Sequence, residues 1–144
     1  MTSSPLQVFV YGTLKPGGRN YPLFCEGRVT VACPALVQGK LYEIAKNQAD
    51  ARLSYSYPAM TAEAGWVEGL LLTFTDHAVL TKLDQLEDFQ SGRSPTENYY
   101  ERQWLTIYTL DKKLLTEAWG YVMSRENVQT ARGIALNSTN WQSG

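Results

Sequence analysis

The sequence predicts an α+β protein: a small, mixed, barrel-like sheet with one main helix and short helices packed around it. Three observations carry this. Strand-like runs follow one another with little helix between them. One segment alone, over 76–87, has apolar residues at helical spacing. An aromatic run over 99–110 is joined by Asp111-Lys112-Lys113 to a second run over 114–123, the pattern of a hairpin. Strands in series with one amphipathic helix fit an α+β sheet better than alternating βαβ units.

A chain of 144 residues, 44% hydrophobic and 19% charged, is long enough for one folded domain with a real core. We expect a single domain over 1–144, polar from about residue 124. Net charge is −1 with no basic block, so neither a nucleic acid nor a membrane surface is expected as partner. Cys25 and Cys33 lack metal-ligand spacing and make a poor disulfide framework. Both are expected to pack as small apolar residues in a reducing compartment. Met1-Thr2-Ser3-Ser4-Pro5 has neither a basic cluster nor an apolar run, and no stretch approaches membrane-spanning length. A cytoplasmic location is the expectation.

Leu6 to Tyr11 is the first strand, apolar from Val8 to Val10 and so expected to be buried on both faces. It ends at Gly12, in a loop that also holds Pro16, Gly17 and Gly18. Strand ends of this kind gather unpartnered backbone N–H groups, which suits an anion or a polarised carbonyl. Asn20 can cap a short helix with Pro22 in its first turn. Arg28 to Cys33 reads as a strand broken by Pro34, and Ala35 to Ile44 as another with a bulge at Gly39. Residues 45–56 form a polar loop, Tyr57 to Met60 is extended ahead of and through Pro58, and Trp66 to Phe74 is a strand. Over Asp76 to Glu87, capped by Thr75 or Asp76, the stripe Val79, Leu80, Leu83 and Leu86 predicts the main helix. Residues 89–98 are a loop. After the hairpin, Ile134, Leu136 and Trp141 are candidate anchors of the C-terminal segment.

Several kinds of chemistry lack their residues. The single histidine, His77, reads as a surface or packing residue, and no ligand set, nucleophile elbow, phosphate loop or dinucleotide fingerprint is present. No metal site is expected. Glu87 stands out, because it lies four residues after Leu83 and seven after Leu80, on the side of the apolar stripe. An inward carboxylate at a helix C-terminus suffers desolvation and an unfavourable dipole, and both raise its pKa toward that of a useful base. The alternative is a frayed last turn with Glu87 paired to Arg102 or a lysine. Asp84 and Asp88 flank it, rotated further toward solvent. Tyr100 and Arg102 share one strand face, either lining a polar pocket or packing across strands.

Taken in order, Phe9-Val10-Tyr11-Gly12-Thr13-Leu14-Lys15-Pro16-Gly17, Gly39-Lys40-Leu41-Tyr42, Tyr57-Pro58-Ala59, Val67-Glu68-Gly69-Leu70-Leu71, Leu83-Asp84-Gln85-Leu86-Glu87, Tyr100-Glu101-Arg102 and Ala118-Trp119-Gly120-Tyr121-Val122 resemble the gamma-glutamyl cyclotransferase-like family. The likeness is to its small single-domain, gamma-glutamylamine cyclotransferase-like members. It implies a small mixed barrel with a pocket at its mouth. It also implies cofactor-free cyclisation of a gamma-glutamyl amine or amino acid, releasing 5-oxoproline and a free amine, the work of a cyclising transferase or lyase that cleaves an amide. The resemblance gives Glu87 the role of catalytic base and gives Tyr11, Gly12, Thr13 and Leu14 that of holding the substrate. Tyr100 is assigned to the pocket, Arg102 to structure and Lys15 to solvent. The substrate's own amine is the nucleophile, so no serine, cysteine or metal is required. The reading from another class is a binding module for a small carboxylate that keeps the pocket and does no chemistry.

Overall fold

Residues 5–12, 14–15, 21–46, 55–94 and 97–141 are described by the structure, a computed structural model. The elements run β1 (Leu6–Val10), α1 (Tyr21–Phe24), β2 (Val29–Lys46), β3 (Tyr55–Phe74), α2 (Val79–Leu86), β4 (Glu101–Tyr108), β5 (Leu114–Val122), α3 (Arg125–Thr130) and β6 (Ile134–Ala135). The strands lie in the order β3-β1-β5-β4-β2-β6, and β2 also pairs with β3. That last pairing closes five of the six strands into a ring, with β6 added to β2. The expected α+β barrel is what forms.

Alternation along β1 divides the core in two. Leu6, Val8 and Val10 pack with Cys25 after α1, Val79 and Leu83 of α2 and Val128 of α3, on the outside of the ring. Phe9 and Tyr11 pack with Val37, Met60, Leu71, Ile107 and Val122, a cluster without helical residues that fills its interior. An apolar run in a strand covered on both faces is thereby explained. Gly69 is needed where the ring is tightest, since a Cβ there would stand 2.2 Å from the Val10 carbonyl oxygen.

Two expected strands prove to be one. Pro34 does not break β2: it lies opposite Leu70 of β3, and on its other side β2 meets only β4 at Leu36 and β6 at Tyr42 and Glu43. A missing N–H is tolerated along such an open edge. The bulge expected at Gly39 is present as a register shift between Gln38 and Lys40. Likewise 57–60 and 66–74 belong to the single strand β3.

Helix α2 is shorter than 76–87 at its start. Asp76 caps a preceding turn, its Oδ1 accepting from the Ala78 N–H at 2.9 Å. Val79 and Leu83 are buried, whereas Leu86 of the expected stripe is 36% exposed. The C-terminal segment carries α3, capped by Ser124 through the Asn127 N–H at 3.1 Å, and β6. Of its candidate anchors Trp141 is buried, Leu136 packs partly, and Ile134 is exposed.

Candidate active site

The site is assembled at the C-terminal end of α2. There the Phe89 N–H bonds the Asp84 carbonyl at 2.9 Å and the Asp88 N–H bonds the Gln85 carbonyl at 3.3 Å. Asp88 takes φ 56°, so the helix ends in a Schellman motif with Glu87 as its C-cap. The Glu87 N–H still bonds Leu83 O at 2.9 Å, and its own carbonyl accepts from the Tyr100 N–H at 3.1 Å. The backbone of Glu87 is therefore held from the helix on one side and from the approach to β4 on the other. The last turn is not frayed.

Three tyrosines from three parts of the chain lie within electrostatic reach of the Glu87 carboxyl. Tyr11, Tyr100 and Tyr121 are each close enough to feel its charge, which raises their hydroxyl pKa values beyond the larger effect of burial. Tyr11 donates to the Tyr121 carbonyl at 2.8 Å and accepts from the Met60 N–H at 3.1 Å, tying β1, β3 and β5 together. Tyr100 donates to the Pro58 carbonyl at 2.7 Å. Glu87 is only partly buried as a residue, but protein atoms crowd its carboxyl, and this desolvation pushes its pKa from 4.5 up to about 8. Among the described residues the carboxyl has no hydrogen bond or ion pair. The expected pairing with Arg102 does not form.

Arg102 instead pairs with Asp84, Nη1 to Oδ2 at 2.8 Å. The other carboxylate oxygen of Asp84 accepts from the Tyr121 hydroxyl at 2.7 Å. Asp84 thus faces β4 and β5 rather than solvent, because a guanidinium and a phenol lie beneath it. The guanidinium is seated over the Trp119 ring at 4.5 Å and near Phe89 at 5.2 Å.

The loop residues are placed as follows. Gly12 is packed against Pro58, where a Cβ would come within 2.5 Å of the ring. Its carbonyl accepts from the Lys15 N–H at 3.0 Å, closing a turn, and among the described residues nothing accepts from the N–H of Gly12 or Leu14. Thr13 lies outside the described residues, as do Pro16 to Asn20. The Leu14 side chain is buried in the outer core. Lys15 does not point to solvent: its Nζ donates to Asn140 Oδ1 at 2.9 Å and Trp141 O at 2.6 Å, fastening the C-terminal segment to this loop.

Asp84 and Tyr121 were not singled out by sequence reasoning. The signals existed: Asp84 is three residues before Glu87, hence on an adjacent helical position, and Tyr121 alternates with Trp119 on one face of β5. A separate cleft of about 290 Å³ lies near Asp88, Glu97, Tyr99 and Asn127, and neither Glu87 nor Tyr11 lines it. No three His, Cys, Asp or Glu side chains gather as metal ligands among the described residues. His77 is exposed, and Cys25 and Cys33 are free thiols, the former buried.

The sequence model of the gamma-glutamyl cyclotransferase, AIG2-like family matches residues 8–143. The chain belongs to that family. Among solved structures, an AIG2-like protein from Mus musculus is similar at 17% identity and TM-score 0.63, with 97% of this chain and 90% of that one covered. YkqA from Bacillus subtilis is similar at 23% identity and TM-score 0.61, with 96% of this chain covered. The chain spans 40% of the length of YkqA. At these identities the likeness concerns the fold. No curated protein matches. Among the described residues no helix is long and apolar enough to cross a membrane.

Proposed function

We propose that the protein cyclises a gamma-glutamyl amine or gamma-glutamyl amino acid without a cofactor, releasing 5-oxoproline and the free amine, with Glu87 moving the protons. The observation that carries this is the Glu87 carboxyl itself, desolvated, unpaired among the described residues and within electrostatic reach of Tyr11 at the head of the Gly12 turn.

The energetics suit the reaction. The substrate's α-ammonium has a pKa of about 8, so its proton passes to a carboxylate of pKa about 8 at almost no cost. To a carboxylate at the ordinary 4.5 the same transfer would cost about 5 kcal/mol. The freed amine attacks the γ-carbonyl carbon, forming the ring C–N bond and a tetrahedral oxyanion. Preassembly of nucleophile and carbonyl in one molecule supplies up to roughly 7–11 kcal/mol. The N–H groups of Gly12 and Leu14 are the donors available for the oxyanion or for the substrate carboxylate, an oxyanion donor being worth about 3–4 kcal/mol. As the amide C–N bond breaks, Glu87 protonates the leaving nitrogen and then removes the second proton from the ring nitrogen. Both protons end on the departing amine, which leaves as an ammonium, and Glu87 returns to its carboxylate. The setting proposed is cytoplasmic, where Cys25 and Cys33 stay reduced.

The test is 5-oxoproline release from a panel of gamma-glutamyl amines, amino acids and peptides, for wild type and Glu87→Gln. Product from at least one member, with a loss of about 100-fold or more in the variant, is the expected result. No product from any member with folded protein favours the non-catalytic binding module, and a nearly unaffected variant removes Glu87 as the base.

A further inference from the structure

The carboxylate one helical turn before Glu87 is engaged through both of its oxygens. Asp84 Oδ2 holds the Arg102 guanidinium at 2.8 Å, and Oδ1 takes the Tyr121 hydroxyl at 2.7 Å. These partners come from β4 and β5, adjacent strands in which Arg102 lies opposite Tyr121. Two bonds of fixed direction from one side chain add to the buried Val79 and Leu83 in setting the rotation of α2 about its axis. The pair is itself well seated. The guanidinium lies over Trp119, which meets Trp104 edge to face with centroids 4.8 Å apart. Arg102 Nε is buried without a partner, so Asp84 supplies the only hydrogen bond the guanidinium makes among the described residues.

We propose that Asp84, clamped between Arg102 and Tyr121, is the positioning residue that turns the Glu87 carboxyl into the tyrosine-lined site, while Arg102 cancels a carboxylate charge one helical turn from the reacting one. This rests on the cyclotransferase reading for its catalytic consequence and on geometry alone for the placement of Glu87. The ionisable groups facing Glu87 are Tyr11 after β1, Tyr100 before β4 and Tyr121 in β5, with Asp84 and Arg102 behind Tyr121. Asp84 and Arg102 are joined to each other as an ion pair, Nη1 to Oδ2 at 2.8 Å. Burial is the cause of the Glu87 shift, with no contribution from either charge.

The charge balance makes the proposal testable in two directions. Arg102→Met leaves the Asp84 carboxylate uncompensated one helical turn from Glu87 and raises the Glu87 pKa by a few tenths of a unit, about the limit for a charge that makes no contribution to the wild-type shift. Asp84→Asn leaves the Arg102 cation uncompensated and lowers it by a similar amount of about a few tenths of a unit. Arg102→Lys keeps the charge and stays close to wild type. The primary readout is the Glu87 carboxyl titration followed by ¹³C NMR, which requires no substrate. The second is kinetics: Asp84→Asn should lower kcat about 10–100-fold while changing KM little, because Asp84 touches no substrate. Asp84→Asn is nearly isosteric and carries the test alone should Arg102→Met fail to fold. Opposite titration shifts support the clamp even if the wild type makes no 5-oxoproline, an outcome that overturns the cyclotransferase reading only. An active wild type whose Glu87 titration and kcat are unmoved by Asp84→Asn overturns the clamp and leaves the cyclotransferase reading standing.

Discussion

Replacing Glu87 by glutamine removes a carboxyl whose burial costs the fold more as pH rises through the neutral range. The folded-state pKa of about 8 stands above the 4.5 of an exposed carboxyl. Between these values the folded protein holds a proton that the unfolded chain releases. The contribution of Glu87 to stability is then greatest below pH 4.5, falls as pH rises, and levels off above pH 8. Worked through the linkage relation, ionisable Glu87 costs at most about 1 kcal/mol at pH 5, about 3 at pH 7 and nearly 5 at pH 9. Glutamine does not titrate, and all other groups are common to both proteins. Urea unfolding of wild type and Glu87→Gln at these three pH values should therefore diverge, the variant gaining about 4 kcal/mol on the wild type between pH 5 and pH 9. The amide adds an offset of its own, but a constant one, so the slope is the readout. Parallel stability curves would show a hydrated carboxyl and refute the placement of Glu87. A divergence of opposite sign would mean a cationic partner near it.

Three further outcomes follow from the same geometry. With base and substrate amine both titrating near pH 8, kcat/KM should form a bell centred there and be about 25-fold lower at pH 6, whereas a base of pKa 4.5 would make pH 6 the better condition; a pH–rate profile separates them. Gly12→Ala drives a Cβ to 2.5 Å from the Pro58 ring, which cannot swing aside, and should cost about 1–3 kcal/mol in urea unfolding and lower kcat/KM at least tenfold. Asp88→Gly relieves a left-handed residue at φ 56° and gives up only an exposed 3.4 Å contact to Arg93; a gain of about 0.5–1 kcal/mol in the same assay is expected, and a loss would argue that the Asp88–Arg93 pair shapes the helix end.

What was legible in the sequence was whatever depends on neighbours along the chain. The continuous apolar run in β1, the 3.6 period around Leu83 and the polar turn at 111–113 report local burial, and an element formed at each, with α2 starting at Val79 rather than Asp76. Glu87 was legible for the same reason, since its side of the helix follows from Leu80 and Leu83. Pro34 misled because the sequence does not show which edge of a strand lacks a partner. Asp84 misled because a charged residue off the apolar stripe is normally solvated, and only the pairing of β4 with β5 brings Arg102 and Tyr121 beneath it. Lys15 was misplaced likewise: its acceptors lie 125 and 126 residues away, at Asn140 and Trp141. Contacts at that separation are products of topology, and no periodicity foreshadows them.

The choice of tyrosines around Glu87 has its own logic. A lysine or arginine in place of Tyr11, Tyr100 or Tyr121 would offer Glu87 a counter-charge and return its pKa toward the ordinary range. A fully apolar wall would leave the Met60 N–H and the Tyr121 and Pro58 carbonyls without the hydroxyls that now satisfy them. Tyrosine meets both conditions, being neutral near pH 8 and still able to hydrogen-bond the backbone. Their hydroxyls are committed to backbone or to Asp84, so none is spent on the Glu87 carboxyl. The arginine closest to the site is held on Asp84, where its charge is cancelled. The site therefore crowds a carboxyl with protein atoms without giving it a partner among the described residues, and that is the condition under which a single glutamate can serve as base and then as acid.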